Sequence, residues 1–143
     1  MESSPLLAPV VVLVAWTLVM MVWMAAVRLP AIRAAKIDTA AARGGRGVNL
    51  EGVLPDEVNW KGHNYVHLME QPTIFYAIVF ALILMDMDVP INVWLAWGYV
   101  GLRIVHSIFQ ATVNIVRYRL VLFGLSSLCL IGLTVHAAAW LLH

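Results

Sequence analysis

Charged residues are scarce in this chain: of its 143 residues, 12% are Asp, Glu, Lys or Arg, whereas 62% are hydrophobic and the mean hydropathy is +0.86. A soluble domain has roughly 25% charged and about 45–50% apolar residues, so this composition excludes an ordinary water-soluble protein. The few charged residues give a formal net charge of +1 and form no basic cluster suited to nucleic acid. The composition therefore predicts an integral membrane protein with no nucleic-acid partner.

Cysteine is nearly absent as well. Cys129 is the only cysteine and lies in an apolar run, so an intrachain disulfide is excluded.

Four spans of about 20 residues each, with their connections, nearly exhaust the chain and leave no room for a separate soluble domain. Any chemistry is therefore expected inside the membrane or at its surface.

Long apolar runs separated by polar connections predict four transmembrane helices in one domain covering residues 1–143. The predicted helices are about 7–28, 63–85, 91–116 and 119–142, and a long cytoplasmic loop of about 29–62 follows the first. Six of the nine basic residues fall in or beside that loop and two in the third connection, whereas the second connection carries only Asp86 and Asp88. The positive-inside rule places the first and third connections in the cytoplasm and both termini outside.

A polar stripe runs along the third predicted helix. At about 100° per residue, six side chains fall within an arc of roughly 80°: Tyr99, Arg103, His106, Gln110, Asn114 and Arg117. An arginine inside a bilayer is costly unless it is paired, so this stripe has to face other helices, a partner subunit or a wet cavity. Arg103 and His106 favour a ligand site, whereas Gln110 and Asn114 fit interhelical hydrogen bonding equally well.

The second predicted helix offers a partner to this stripe. His63, His67 and Glu70 are spaced four and three residues apart and share one helical face. Glu70 is the only acid inside a predicted span and Arg103 the only base well inside one, so pairing them, directly or through a ligand, is economical. The same face, with His106 as a fourth ligand, has metal-ligand spacing. That signal is weak because zinc sites usually contain cysteines and di-iron sites need more carboxylates, so no metal is predicted.

The order and spacing of these motifs resemble the MAPEG family, the membrane-associated proteins in eicosanoid and glutathione metabolism. Residues 103–107 read Arg-Ile-Val-His-Ser, which looks like the Arg-x-x-His-Thr of the family's microsomal prostaglandin E synthase. Glu70 lies just before Pro72, as in that pattern, and Arg119 follows Arg103 at the offset of the arginine proposed to activate the thiol. The segment 64–75 resembles a bacterial branch, so a multi-pass protein of the bacterial inner membrane is expected.

The resemblance implies an all-α membrane protein, a homotrimer of four-transmembrane-helix bundles with glutathione between adjacent subunits. A lipophilic small molecule would enter from the surrounding membrane lipid. By matched position Arg119 is the catalytic residue, which lowers the thiol pKa by placing positive charge beside the sulfur. The implied glutathione-binding residues are Arg28, His67, Glu70, Arg103, His106 and Gln110. The expected function is a glutathione-dependent transferase or peroxidase acting on a lipophilic electrophile.

Several positions depart from the synthase pattern and keep a second hypothesis open. The synthase has an arginine and an asparagine where this chain has Val66 and His67. Its third-helix tyrosine is Gln110 here, and the serine and tyrosine after the catalytic arginine are Leu120 and Phe123. Phe123 has no hydrogen-bond donor. The alternative is therefore a noncatalytic lipid-binding protein of the same fold, or a small structural subunit of a larger membrane complex.

Overall fold

The computed structural model describes residues 3–142, and these residues form helices joined by turns, without a strand. The helices in chain order are α1 Leu7–Ala34, α2 Asp56–Leu68, α3 Gln71–Leu84, α4 Pro90–Thr112 and α5 Val116–Leu141. A short 3₁₀ turn, Gly47–Leu50, lies in the connection between α1 and α2. The all-helical fold agrees with the class predicted from the sequence.

Three helical regions are long and apolar enough to cross a membrane: α1, the stretch Asp56–Leu84 formed by α2 and α3, and α5. α4 has 23 residues, or about 35 Å of helix. It does not reach the same apolarity because Asn92, Arg103 and His106 lower its mean hydropathy. The apolar helices confirm that the chain is a membrane protein.

α4 lies at the centre of the helical packing, where it contacts α5, α2 and α1. Its N-terminal half packs mainly through Ala96, Tyr99 and Val100, none more than 1% exposed, and the ring of Phe75 stacks on Tyr99 at a centroid distance of 4.3 Å. Its C-terminal half carries most of its buried polar residues, namely Arg103, His106, Ser107 and Gln110, while Asn92 is buried near its start. The neighbouring helices therefore cover the polar face of α4, as expected for a face that lipid cannot solvate.

The first two helices have boundaries that differ from the predicted ones. α1 continues through Pro30 to Ala34 because a proline so near the helix end removes only one hydrogen bond, and the chain turns where Lys36 adopts φ 55°. α2 begins at Asp56 rather than residue 63, because Pro55 precedes it and acidic residues occupy its first turn. The predicted loop of about 29–62 is correspondingly shorter.

α4 ends at Thr112 rather than at residue 116, and α5 begins at Val116 rather than at residue 119. The cause is Asn114, which adopts a left-handed backbone with φ 57° and so interrupts the helix. Arg117 consequently belongs to α5. The predicted polar stripe on one helix therefore holds for its four buried members and is wrong for the last two: Tyr99, Arg103, His106 and Gln110 lie in α4, whereas Asn114 and Arg117 do not.

Candidate functional site

The second predicted helix is interrupted at Met69 and Glu70. Glu70 has φ −89° and ψ −98°, outside the helical region, and it precedes α3 with Pro72 in the first turn. The backbone nitrogen and Oγ1 of Thr73 both donate to the Glu70 carbonyl oxygen, at 3.1 and 2.6 Å. Proline lacks an N–H and is well tolerated in a first turn, so a new helix starts here. The Glu70 carboxylate therefore stands at a bend in the helix.

His67 lies between this acid and the buried base. Its Nδ1 is 2.9 Å from Glu70 Oε2, and its Nε2 is 3.4 Å from Arg103 Nη1. An ionised carboxylate only accepts hydrogen bonds and a guanidinium only donates them, so the imidazole donates from Nδ1 and accepts at Nε2. The direct Glu70–Arg103 pairing considered from the sequence is wrong for the described residues, because the ring of His67 occupies the space between them.

Arg103 is 1% exposed and holds its position mainly through His67 and two aromatic rings. Its Nη2 donates to the His67 carbonyl oxygen at 3.4 Å. The helix break leaves this oxygen without the bond that a regular helix would give it from the backbone N–H four residues later. The guanidinium carbon lies 5.8 Å from the ring centroid of Tyr99 and 5.5 Å from that of Phe123, distances typical of cation–π contacts. Within residues 3–142 no carboxylate pairs with Arg103 directly.

A cavity of about 610 Å³ opens beside these residues. Its walls come from α1, the α1–α2 connection, α2, the helix break and α4. Gln110 is 4% exposed, and its Oε1 has no hydrogen-bond partner among the described residues. The polar side chains on the wall are Arg28, Arg46, Glu51, His63, Tyr65, His67, Glu70 and Gln110. This first cavity therefore offers cations, two carboxylates and an amide acceptor to a ligand.

Two glycines allow Arg28 to reach the first cavity. The Arg28 guanidinium lies so close to Gly62 that a Cβ at this position would overlap Nη2, and it lies 3.5 Å from a Cβ built on Gly47. The Nε of Arg28 is buried and has no partner in the described part of the chain. A guanidinium held against bare backbone in this way has its charge available for an anion.

A second cavity of about 240 Å³ is lined by His67, His106, Val116, Arg119, Leu120 and Phe123. Arg119 Nη1 donates to Asn114 Oδ1 at 2.8 Å, so the residue that ends α4 also holds this arginine. The rings of His67 and His106 lie 5.1 Å apart between their centroids. Because His67 lines both cavities, the two are adjacent.

The structure brings the sequence-predicted residues together around these two cavities. Arg28, His67, Glu70 and Gln110 line the first cavity, and His67, His106 and Arg119 line the second. Arg103 lines neither cavity and contacts the site through His67.

The weak metal alternative is not supported by the geometry. His63 Nε2 contacts Glu51 Oε1 at 3.0 Å, whereas His67 Nδ1 contacts Glu70 Oε2 at 2.9 Å, so the two histidines of α2 pair with different carboxylates. In the described part of the chain, no three His, Cys, Asp or Glu side chains are close enough to hold a metal ion.

Ser107 joins three helices next to the site. Its Oγ accepts hydrogen bonds from Trp16 Nε1 at 2.9 Å and from Asn64 Nδ2 at 2.8 Å, which ties α1 and α2 to α4. Sequence reasoning placed Ser107 only within a motif, and it missed Trp16, Gly62 and the contact of Asn114 with Arg119. For Asn114 a usable signal exists, since asparagine adopts positive φ more readily than most residues.

The MAPEG family model matches residues 6–139 of the chain. This range includes every residue that lines the two cavities. In the other two comparisons, no curated protein and no solved structure matches the chain. A match over nearly the whole length, on an all-helical apolar fold, leads to one conclusion: the chain belongs to the MAPEG family.

Proposed function

We propose that this chain is a membrane-embedded, glutathione-dependent transferase or peroxidase that acts on a lipophilic electrophile. The main support is the convergence of Arg28, Glu70 and Arg119, from three separate segments, on two cavities that share His67. Glutathione carries two carboxylates, one ammonium group and one thiol. The two cavities supply guanidinium groups for its anions and a carboxylate for its ammonium group.

The first cavity is the proposed site for the peptide. Its volume of about 610 Å³ lies within the range typical of small-molecule sites. Arg28 and Arg46 would bind carboxylates, and Glu70 would bind the ammonium group. The unpartnered Oε1 of Gln110 would accept a peptide N–H, which removes the cost of leaving a buried acceptor unsatisfied.

The second cavity is the proposed site for the sulfur and the electrophile. Arg119 supplies positive charge for the thiolate, and the apolar residues around it strengthen that interaction by excluding water. Val116 and Leu120 are 61% and 65% exposed on the outer face of α5. A lipophilic substrate could therefore approach this cavity directly from the bilayer.

The proposed assembly follows the family resemblance and the charge distribution. α4 is the third of four spans, and the basic connections after α1 and α4 face the cytoplasm, with both termini outside. The proposed state is a homotrimer in a bacterial inner membrane. The trimer follows from the resemblance, and the large apolar side chains that α1 and α5 leave exposed, among them Val11, Val22, Leu128 and Val135, would be covered by lipid or by a neighbouring subunit.

A second candidate function rests on the wall of the second cavity. Phe123 and Leu120 provide no hydrogen-bond donor beside Arg119, where the related synthase pattern has a tyrosine and a serine. A noncatalytic member that binds lipid, or a small structural subunit of a larger membrane complex, needs no such donor.

Calorimetry of glutathione binding to detergent-purified protein tests the proposal. Arg119→Ala is compared with Arg117→Ala, a matched substitution two residues earlier on the exposed surface of α5. Saturable binding that weakens about tenfold or more in Arg119→Ala alone is expected, because a charge-assisted contact is lost. Absence of binding at millimolar glutathione would contradict the proposal and favour the noncatalytic candidate. Unchanged thiol chemistry in Arg119→Ala would remove the role assigned to this residue.

A further inference from the structure

We propose that His106 carries the proton in this site: it accepts the proton of the bound thiol and returns it to the product. Because this shuttle ends with a proton that must be returned, we expect the site to turn over electrophiles to which a thiol adds, such as activated alkenes and epoxides, in preference to electrophiles that undergo displacement. Both statements rest on the proposed function, since they require glutathione in the second cavity.

His106 differs from the other histidines that the structure describes. His63 is bonded to Glu51, His67 to Glu70 and Arg103, and His136 to Asn92. His106 is only 3% exposed, yet within residues 3–142 neither of its ring nitrogens has a hydrogen-bond partner. Its ring lines the second cavity together with Arg119. A buried imidazole without a partner, on the wall of a cavity, is expected to bond to whatever fills that cavity.

The other groups around the second cavity cannot accept the proton as readily. The charged or titratable groups that face His106 are His67 from α2, Arg103 from its own helix and Arg119 from α5. Arginines donate hydrogen bonds and do not lose a proton in proteins. Both ring nitrogens of His67 are already engaged, by Glu70 and by Arg103. His106 is therefore the available acceptor beside Arg119.

The proton balance of the reaction indicates the substrate class. The S–H bond breaks, its proton moves to a ring nitrogen of His106, and Arg119 pairs with the thiolate. A C–S bond then forms while the π bond of the alkene, or a C–O bond of the epoxide, breaks and leaves a carbanion or an alkoxide. The imidazolium returns the proton to that anion, so the ring is neutral again and the adduct contains every atom of both reactants.

A displacement reaction would end differently. It would release an anion into a cavity whose remaining walls are Val116, Leu120 and Phe123, and it would leave the proton on His106. Arg119 can pair with the released anion, but that anion and the proton on His106 would then both have to leave the site before the next turnover, which costs the free energy of their interactions there. Addition avoids that cost, and the geometry therefore favours addition over displacement.

The test measures steady-state conjugation of glutathione with a long-chain α,β-unsaturated aldehyde and, separately, with chlorodinitrobenzene as a displacement substrate. His106→Gln is compared with His136→Gln, a matched substitution of the histidine that bonds to Asn92 and lines neither cavity. We expect kcat for the aldehyde to fall at least about a hundredfold in His106→Gln, the usual contribution of a general base, and to stay unchanged in His136→Gln. Glutathione affinity, measured by calorimetry, should stay close to that of the wild type in both.

The pH profile separates proton transfer from a structural role. In His106→Gln the residual rate should rise about tenfold per pH unit, because the thiol then loses its proton to hydroxide, whereas the wild-type rate should level off. A His106→Gln variant that binds glutathione and keeps the wild-type kcat and pH profile would overturn the role of His106 and leave the proposed function intact. A wild-type protein that binds no glutathione would overturn both.

Two further outcomes bear on the inference without relying on this one variant. If His106→Gln elutes as aggregate from gel filtration, the smaller His106→Asn replaces it in the same assays. A wild-type rate that rises tenfold per pH unit without levelling off would overturn the inference by itself. Faster turnover of chlorodinitrobenzene than of the aldehyde would overturn the assigned substrate class.

Discussion

The imidazole Nδ1 of His67 lies 2.9 Å from Oε2 of Glu70, across the break between α2 and α3. The two side chains differ in exposure, at 22% for His67 and 62% for Glu70. The same imidazole contacts Arg103, which is buried. His67 therefore links a carboxylate at the edge of the first cavity to a guanidinium in the interior, so the two charges are coupled without touching.

Glu70→Gln is expected to change binding more than stability. A carboxylate that is 62% exposed contributes at most about 1 kcal/mol through its contact with His67, so the unfolding temperature should change little. Glutathione affinity should fall about tenfold or more, because the ammonium group loses its counter-charge. Calorimetry and thermal unfolding check both statements. Glu57→Gln, an exposed acid in the first turn of α2, is the control, and an equal loss of affinity there would contradict a specific role for Glu70.

Gly62→Ala is expected to move stability and binding in opposite directions. Alanine stabilises a helix over glycine by up to about 1 kcal/mol, and the group it would displace is the flexible end of Arg28. The unfolding temperature should therefore stay constant or rise. Glutathione affinity should fall about tenfold, because the guanidinium must leave its position. Gly101→Ala, where a Cβ meets nothing within 4 Å, should leave affinity unchanged. Wild-type affinity in Gly62→Ala would show that the position of Arg28 is unimportant.

Ser107→Ala is expected to destabilise the protein more than its size suggests. The substitution leaves Trp16 Nε1 and Asn64 Nδ2 without their shared acceptor, at about 1–3 kcal/mol for each buried donor. Ser126→Ala is the matched control: Ser126 is also fully buried, but its hydroxyl donates only to Phe123 O of its own helix. The apparent unfolding temperature in detergent compares the two. Equal decreases would mean that Ser107 does not hold the helices together, and Ser107→Thr should preserve stability.

Asn114 allows the backbone and the side chain of one residue to be tested separately. Asn114→Gly keeps the φ of 57° without strain but removes the oxygen that bonds to Arg119 Nη1. Asn114→Ala removes the same oxygen and adds about 1–2 kcal/mol of backbone strain. We expect both variants to lose about tenfold in kcat, and only the alanine variant to lose stability. Full kcat in Asn114→Gly would contradict the positioning of Arg119 by this contact.

The polar face of α4 could be predicted from the sequence because lipid imposes a simple rule. Four side chains that recur at helical spacing, Tyr99, Arg103, His106 and Gln110, are between 0 and 4% exposed in the structure. The rule depends only on local periodicity and on the high cost of polar groups in hydrocarbon. Neither input requires knowledge of the neighbouring helices.

The contacts between side chains could not be predicted in the same way. Helical spacing placed His63, His67 and Glu70 on one regular helical face, but the helix break interrupts that face before Glu70, and His63 pairs with Glu51 twelve residues earlier. The close approach of Arg28 to Gly62 and the bond from Arg119 to Asn114 depend on distances that must be right to a few tenths of an ångström. Such distances follow from the packing of distant segments, which a single sequence does not contain.

The polar face of α4 has a consequence for how this protein is made. A translocating segment partitions into the bilayer according to its own apolarity, and among the described helical regions long enough to cross a membrane α4 is the least apolar. When synthesised alone, α4 should therefore insert into the membrane poorly. It should insert efficiently when α5, its main contact partner, follows it closely. Biogenesis of the bundle is then expected to proceed by joint insertion of the α4–α5 hairpin, with the future binding residues protected from lipid from the start.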